Sequence, residues 1–455
     1  MKTANASPRT PGRPRQPGHT THPRRPAAAA ALLACAGLLL PACGSSPGSG
    51  TGSAHGGKVD VADIVPLTGS LAQLGQFTEG PCYGAVAVVN AAGGVLGSKL
   101  ACTPIDDLGD PADAVANVSK ALATNTSIVG AVGITSNTAA TEVPIVNKAK
   151  ITMVSQNGLS LFSKTTDPYF WRMTPPDLLG GAGMGLAAAG GGYHNVAVIF
   201  QNDVGDTGNK PGVVAALRSK GVTQTADLTI PGDASSYQST VNRVIHGHPQ
   251  ALIVSADQQT TDTLLSEYRG LNGGSVPPVI VPTDILSPGL FTSMRKLLGA
   301  SYLTSKISLV GTYVNETTPQ FRTYLNAVKA TPAGAHEAEQ IVATQAIGTI
   351  YDGIIAMSLA MQAAHSTKPS VYNSFMPKVT TKRPGAVEVS TFAQGIRELK
   401  AGHQIYYVGV TGPIVFDRYH NSTGEFASFA FTPSGGVKTL TVFPPAQVAA
   451  VAPKG

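Results

Sequence analysis

Two groups of polar residues, each placed where a predicted strand ends, could bind an anion. Thr135 and Ser136 follow the third predicted strand of the chain, and Ser155 and Asn157 follow the fourth. Hydroxyl groups and free backbone N–H groups at the start of a helix favour an anion such as a carboxylate. The alternative is ordinary capping of the following helix by Ser136 or Thr138, which is equally common.

Three acids could bind a group of the opposite charge. Asp177 follows Pro175 and Pro176, which fix φ and hold the backbone extended, and it stands where a helix is predicted to begin. The strand–helix pattern stops before these prolines and starts again after them. This predicts a crossing between two lobes, with the Asp177 carboxylate in the space between them; the alternative is that Asp177 is only an N-cap. Asp257 and Asp284 lie at predicted strand ends of the second lobe.

The elements that must position these residues alternate between short apolar strands and helices. The alternation runs over residues 59–154 and starts again over residues 178–281, with one of its helices predicted at 213–219. Such a pattern is typical of an α/β fold whose mostly parallel sheets are covered by helices on both faces. Ligands of these sheets bind at the carboxyl ends of the strands. A strand predicted at 307–313 returns the chain to the first lobe.

The start of the chain is predicted to be an export segment. Residues 1–42 hold six of the 32 basic residues and no acid, which leaves 26 basic and 26 acidic residues in the remainder. The overall positive charge therefore does not predict nucleic-acid binding. The apolar run over 27–40 is too short to span a bilayer, and it ends near Cys43 in a sequence similar to a lipoprotein cleavage box. We expect a lipid on Cys43 and a flexible tether over 43–57; the alternative is a plain secretory signal.

Cys82 and Cys102 are the two cysteines of the chain that follow the predicted lipidation site. In an exported protein such a pair is expected to form a disulfide. The alternative is two buried thiols, since the sequence does not show whether their Cα atoms come within reach of each other.

Five motifs occur in order along residues 58–445 and together carry a resemblance to a known family. They are VPLTG (65–69), NAAGGVLG (90–97), DDLGDP (106–111), YDG (351–353) and GVTGPIVFD (409–417). The sequence resembles the type I periplasmic substrate-binding proteins of ABC importers, in the branch that binds leucine, isoleucine and valine, amides or urea. The resemblance implies two α/β lobes joined by three hinge crossings, with a ligand enclosed between the lobes.

The resemblance also implies lobe boundaries. The first lobe is expected over residues 58–176 and 310–424, and the second over residues 177–309 and 425–445.

The resemblance further implies roles for the candidate residues. Thr135, Ser136 and the loop of Ser155 and Asn157 are expected to bind a ligand carboxylate, and Asp177 and Asp284 its ammonium group. The sequence departs from relatives at three positions, because Leu74 stands where an aromatic residue is frequent, Asp257 stands near an expected tyrosine, and Leu159 stands near an expected hydroxyl. We therefore expect a polar amino acid, an amide or a small cation-bearing solute rather than leucine, isoleucine or valine.

The leading hypothesis is a monomeric receptor, lipid-anchored on the extracytoplasmic face of the cell membrane, that delivers a small solute to an ABC permease. No catalytic activity, cofactor or metal is predicted for it. The first alternative is the same module acting as a sensor for a membrane signalling partner. The second is an exported α/β hydrolase, although no nucleophilic serine in a suitable strand–turn–helix context supports it.

Overall fold

The computed structural model describes residues 58–453 except 70, 76–77, 287 and 335–344. The predicted signal peptide (1–42), the lipidation site Cys43 and the tether (43–57) lie outside the described residues.

The first part of the chain builds a five-stranded sheet. Its elements are β1 (Val59–Val65), α1 (Ala72–Gly75), α2 (Glu79–Ala91), β2 (Leu100–Asp106), α3 (Pro111–Thr124), β3 (Ile128–Gly133), α4 (Ala139–Lys148), β4 (Thr152–Ser155) and β5 (Phe170–Arg172). All strands are parallel, in the order β2-β1-β3-β4-β5. Apolar side chains are buried on both faces of this sheet, which explains why its strands read as continuous apolar runs.

The middle of the chain repeats the scheme in a second lobe. Its elements are α5 (Asp177–Gly190), β6 (Asn195–Gln201), α6 (Val204–Ser219), β7 (Thr223–Ile230), α7 (Gln238–His246), β8 (Ala251–Ser255), α8 (Gln258–Leu271), β9 (Val279–Pro282), α9 (Pro288–Leu298), α10 (Ala300–Lys306) and β10 (Ile307–Thr312). Both faces of this sheet are again covered by buried apolar side chains.

The remaining chain returns to the first lobe and ends in the second. The returning elements are α11 (Pro319–Lys329), α12 (Gln345–Ala364), α13 (Pro369–Tyr372), α14 (Met376–Thr380), β11 (Val387–Val389), α15 (Phe392–Lys400), β12 (Ile405–Gly409) and β13 (Gly412–Pro413). The final elements are β14 (Phe426–Phe431), β15 (Val437–Phe443) and α16 (Pro445–Val451). The second sheet thus has seven strands in the order β15-β14-β10-β9-β8-β6-β7, and its hairpin edge is antiparallel.

The chain passes between the two sheets three times, after β5, after β10 and before β14. The crossing segments are joined by backbone hydrogen bonds. The Arg172 N–H donates to the His420 carbonyl over 2.9 Å, and the Tyr313 N–H donates to the Glu425 carbonyl over 2.8 Å. The two-lobed α/β architecture with three crossings is therefore as predicted.

Two elements differ from the prediction. The strand at 307–313 was predicted to return to the first lobe, but β10 pairs with β9 and β14 in the second sheet, so the chain crosses only after Thr312. The helix predicted at 213–219 begins much earlier, at Val204. Gly205, Gly208 and Pro211 disfavour a helix in isolation, and tertiary packing against α5 overrides that preference.

Within the described part of the chain, one helix segment is apolar and long enough to cross a membrane, over Ile347–Ala364 in α12. However, 78% of that segment is buried inside the protein, as in the central helix of a folded lobe. Its side chains form much of the first-lobe core, together with those of α2 and α11.

The predicted disulfide is present. Cys82 in α2 and Cys102 in β2 are bonded, with their Cα atoms 6.0 Å apart, and the bond fastens α2 to the edge strand of the first sheet. Next to it in β1 lies Asp63, which is fully buried. Burial raises the pKa of Asp63 from 3.8 to about 7.

Candidate functional site

The carboxyl ends of strands from both sheets face a common cavity of about 250 Å³, called here the interlobe cavity. Its polar lining from the first lobe includes Thr78, Thr135, Ser136, Asn137 and Gln156. Its polar lining from the second lobe includes Asp177, Gln201, Asp203, Asp206, Asn209, Asp257, Gln258 and Asp284. Phe426 is the one aromatic residue that lines the cavity in the described part of the chain. The cavity therefore offers many polar groups and little aromatic surface.

The loop after β3 places two of the predicted residues at the cavity. It turns through Ile134, a β-branched residue held at φ 59°, which is an unfavourable conformation that tends to be kept at functional sites. The Thr135 hydroxyl has no hydrogen-bond partner among the described residues, although it is buried. The Ser136 hydroxyl accepts from the Gly158 N–H over 3.0 Å and donates to Asp177 over 3.2 Å. Neither hydroxyl caps α4, so the capping alternative is wrong for Ser136.

Thr138 does not cap α4 either. Its hydroxyl donates to Glu142 Oε2 over 2.8 Å and lies 3.3 Å from Asp107 Oδ2 in a buried cluster behind the loop. Burial, and then the charge of Asp107, raises the pKa of Glu142 to about 9. Thr138 thus belongs to the support of the loop rather than to the cavity.

Ser155 and Asn157 do not line the cavity, contrary to the role proposed for them. Both are fully buried. The Ser155 hydroxyl donates to the Ile134 carbonyl over 3.0 Å and accepts from the Asn157 side-chain amide over 2.6 Å. These contacts hold the loops after β3 and β4 together. Gln156, which lies between them and points the other way, is the residue that reaches the cavity.

Asp177 lies at the cavity, where it bridges the two lobes. Pro176 is the N-cap of α5 and the Asp177 side chain accepts no N–H group of that helix, so the N-cap alternative is wrong. Instead, its carboxylate accepts from Ser136, and its backbone N–H donates to the Gly158 carbonyl over 2.8 Å. Burial, together with the charge of Asp284, raises its pKa from 3.8 to about 7.

Glycines make room for the Asp177 carboxylate. A Cβ atom at Gly158 would lie 1.7 Å from Asp177 Oδ1, and one at Gly208 would lie 2.9 Å from Oδ2. Side chains at these two positions would displace the carboxylate. The first lobe and α6 thus enclose Asp177 from opposite sides.

The two predicted acids of the second lobe, Asp257 and Asp284, also face the cavity, but they differ in their hydrogen bonds. Asp257 is the N-cap of α8 and accepts from the Thr260 N–H over 2.7 Å. Asp284 lies in a single helical turn after β9, with its side chain exposed on the cavity side. No hydrogen bond reaches the Asp284 carboxylate from the described residues. The surrounding walls nevertheless displace enough water to raise its pKa.

Two further acids, Asp203 and Asp206, were missed by the sequence analysis. Asp203 caps α6 by accepting from the Asp206 N–H over 2.8 Å, and Asp206 accepts from the Ser255 hydroxyl over 2.5 Å. Burial raises the pKa of Asp206 well above its ordinary value. Their positions in the sequence could have revealed them, because both residues follow β6 just as Asp257 follows β8. They were not predicted as cavity residues because α6 was predicted to begin at Val213.

A second hydrogen bond joins the lobes beside Asp177. The Asn137 side-chain oxygen accepts from the Gly205 N–H at the start of α6 over 3.0 Å. Together with the bond from Ser136 to Asp177, it links the loop after β3 to the first turns of α5 and α6. The lobes thus contact each other directly along one rim of the interlobe cavity.

The sequence from residue 58 to residue 425 matches the family model described as "Periplasmic binding protein". The chain belongs to this family. Among proteins of curated function, none shows a significant sequence match. The periplasmic binding protein assignment therefore depends on the family model and agrees with the two-lobed fold.

Solved structures of similar fold include three solute-binding proteins. The leucine-binding protein LivK of Thermotoga maritima is 14% identical, with 85% of this chain and 99% of that chain aligned at a TM-score of 0.67. LivJ of Streptococcus pneumoniae, in complex with isoleucine, is 17% identical, with 85% of this chain and 99% of that chain aligned at a TM-score of 0.65. A solute-binding protein of R. palustris, in complex with benzoate, is 15% identical, with 86% of this chain and 97% of that chain aligned at a TM-score of 0.66. At these identities the likeness concerns the fold.

Proposed function

We propose that the protein captures a small amino-acid-like solute in the interlobe cavity and delivers it to an ABC importer. The observation that carries this proposal is Asp177, which is enclosed between the lobes and lines a cavity contributed by both. Membership of the periplasmic binding protein family supports it, as do the similar folds of a leucine-binding protein and of a protein in complex with isoleucine.

Binding would work through closure of the lobes. A solute that contacts Thr135 in the first lobe and Asp284 in the second makes its full set of contacts only when the lobes are together. Such a solute binds the closed form more tightly than the open form and so shifts the hinge equilibrium toward closure. The Asn137–Gly205 hydrogen bond would add to the closed state. An importer that recognises the closed form would then receive the loaded protein.

The proposed anchor is a lipid on Cys43, with residues 43–57 as the tether to the folded lobes. This part of the proposal is supported by the sequence alone. Cys43→Ala should release the protein from the membrane fraction, and a plain secretory signal would instead leave its distribution unchanged.

A thermal-shift screen against amino acids, amides, ureas, amines and aromatic carboxylates tests solute capture. A solute that binds only the native state must raise the unfolding midpoint, in proportion to the logarithm of its concentration above Kd. We expect one chemical class to raise the midpoint of the wild-type protein and to leave Asp177→Ala unaffected. A shift of equal size in both proteins would remove Asp177 from the site.

A further inference from the structure

The charged residues that line the interlobe cavity all have the same sign. Asp177, Asp203, Asp206, Asp257 and Asp284 contribute carboxylates to it. No lysine, arginine or histidine lines it within the described ranges. The protein therefore supplies negative charge to this cavity without a matching cation on its walls.

Four of the five carboxylates are held by neighbouring groups, and the fifth is not. Asp203 and Asp257 cap helices, while Asp177 and Asp206 accept hydrogen bonds from serine hydroxyls. Asp284 has no hydrogen-bond partner in the part of the chain that the structure describes, and its side chain is exposed to the cavity. An ionised carboxylate without a hydrogen-bond partner among the described residues is stabilised by a cation that enters the cavity.

A buried cation that acts on Asp177 is held by other groups. Arg172 is fully buried in β5 and does not line the cavity. Its guanidinium donates to the Leu159 carbonyl over 2.8 Å and to the Ser163 hydroxyl over 3.1 Å. It lowers the pKa of Asp177 somewhat, but burial and Asp284 outweigh it. Neutralising the cavity acids is thus left to the solute.

Building on the proposed solute-binding function, we propose that the interlobe cavity selects a small organic cation with at least one net positive charge. Diamines, guanidino compounds and basic amino acids belong to this class. A neutral zwitterion brings one ammonium group together with a carboxylate that the ionised acids of the cavity repel, and an aromatic carboxylate brings only the repelled group. The cavity volume of about 250 Å³ limits the cation to a small molecule.

The ionisation of the acids agrees with this class of solute. The pKa of Asp177 is raised to about 7 by burial and by Asp284, and that of Asp206 is raised by burial, by Asp203 and by Asp284. A bound cation stabilises the ionised carboxylates. Binding near neutral pH should therefore release protons, and the affinity should rise as the pH increases through about 7.

Isothermal titration with a matched solute pair tests the proposal. Lysine is compared with norleucine, which lacks the side-chain ammonium group and carries no net charge. We expect lysine to bind at least about 30-fold more tightly, which is the lower end of the effect of truncating a buried charge pair. Norleucine binding as tightly as lysine would overturn this inference and leave solute capture standing. If neither solute binds while another class raises the unfolding midpoint in the thermal-shift screen, the inference fails and solute capture stands.

Asp284→Asn supplies the second arm, with Asp227→Asn as its control. Asp227 pairs with Lys210 over 2.6 Å and does not line the interlobe cavity. Asp284→Asn should weaken binding of lysine by about 30-fold or more. Asp227→Asn should bind lysine as tightly as wild type does. Equal affinity of wild type and Asp284→Asn for lysine would overturn the proposal, as would stabilisation by calcium ions alone without any organic cation.

Discussion

Replacing Asp177 with asparagine should stabilise the folded protein near neutral pH and weaken solute binding. Because the pKa of Asp177 is about 7 in the folded chain and ordinarily 3.8, the folded state holds a proton that the unfolded state has lost. Stability therefore falls as the pH rises from about 4 to about 7, and the loss is complete above that range. The full shift corresponds to about 4 kcal/mol, of which about 2–3 kcal/mol falls between pH values of about 5 and 8.

Asparagine has the same shape and does not ionise, so it escapes this loss. The stability of Asp177→Asn relative to wild type should grow by about 2–3 kcal/mol between those two pH values, as measured by urea unfolding. Comparing one variant at two pH values cancels any change in packing that does not depend on pH. Solute affinity should fall by about 30-fold or more in the same variant. A stability difference that is the same at both pH values would refute the burial of this acid.

Asp63→Asn is the matched control. The pKa of Asp63 is also about 7, but the residue is buried in β1 and does not line the interlobe cavity. The stability of Asp63→Asn relative to wild type should grow to a similar extent between the two pH values. Its solute affinity should equal that of wild type. Loss of solute binding in Asp63→Asn would show that neutralising any buried acid of the first lobe disturbs the site, and would remove the special role of Asp177.

Two further predictions concern the disulfide and the space around Asp177. Replacing both Cys82 and Cys102 with serine should lower the free energy of unfolding by about 3 kcal/mol, because the bond closes a loop with a sequence separation of 20; an unchanged free energy would contradict a bonded pair. Gly158→Ala should displace the Asp177 carboxylate and abolish solute binding, whereas Gly190→Ala, whose added Cβ meets no atom within 4 Å, should bind normally in the same titration.

Much of the fold could be predicted from the sequence because parallel strands buried on both faces produce short apolar runs with clear ends. The rule that ligands bind at the carboxyl ends of such strands located Thr135, Ser136, Asp257 and Asp284, and the predicted crossing located Asp177; all five line the interlobe cavity. Whether they bind a solute stays a prediction. The rule needs only the order of elements along the chain, so it did not depend on their three-dimensional packing.

The remaining features depend on packing that local sequence does not encode. Ser155 and Asn157 point into the protein, while Gln156 between them points to the cavity, and this orientation is set by where the strand alternation ends. The early start of α6 is hidden by helix-disfavouring glycines that its contact with α5 requires. A Cβ at Gly212, for example, would lie 1.8 Å from the Leu178 carbonyl oxygen. Asp203 and Asp206 were overlooked for that reason.

A crystal structure of the protein bound to the solute that binds most tightly in the thermal-shift screen or the titration tests the central claim most directly. We predict that the solute lies between the lobes with an ammonium or guanidinium group within hydrogen-bond distance of Asp177 or Asp284. A solute bound on an outer surface, or one whose carboxylate faces these acids, would contradict it.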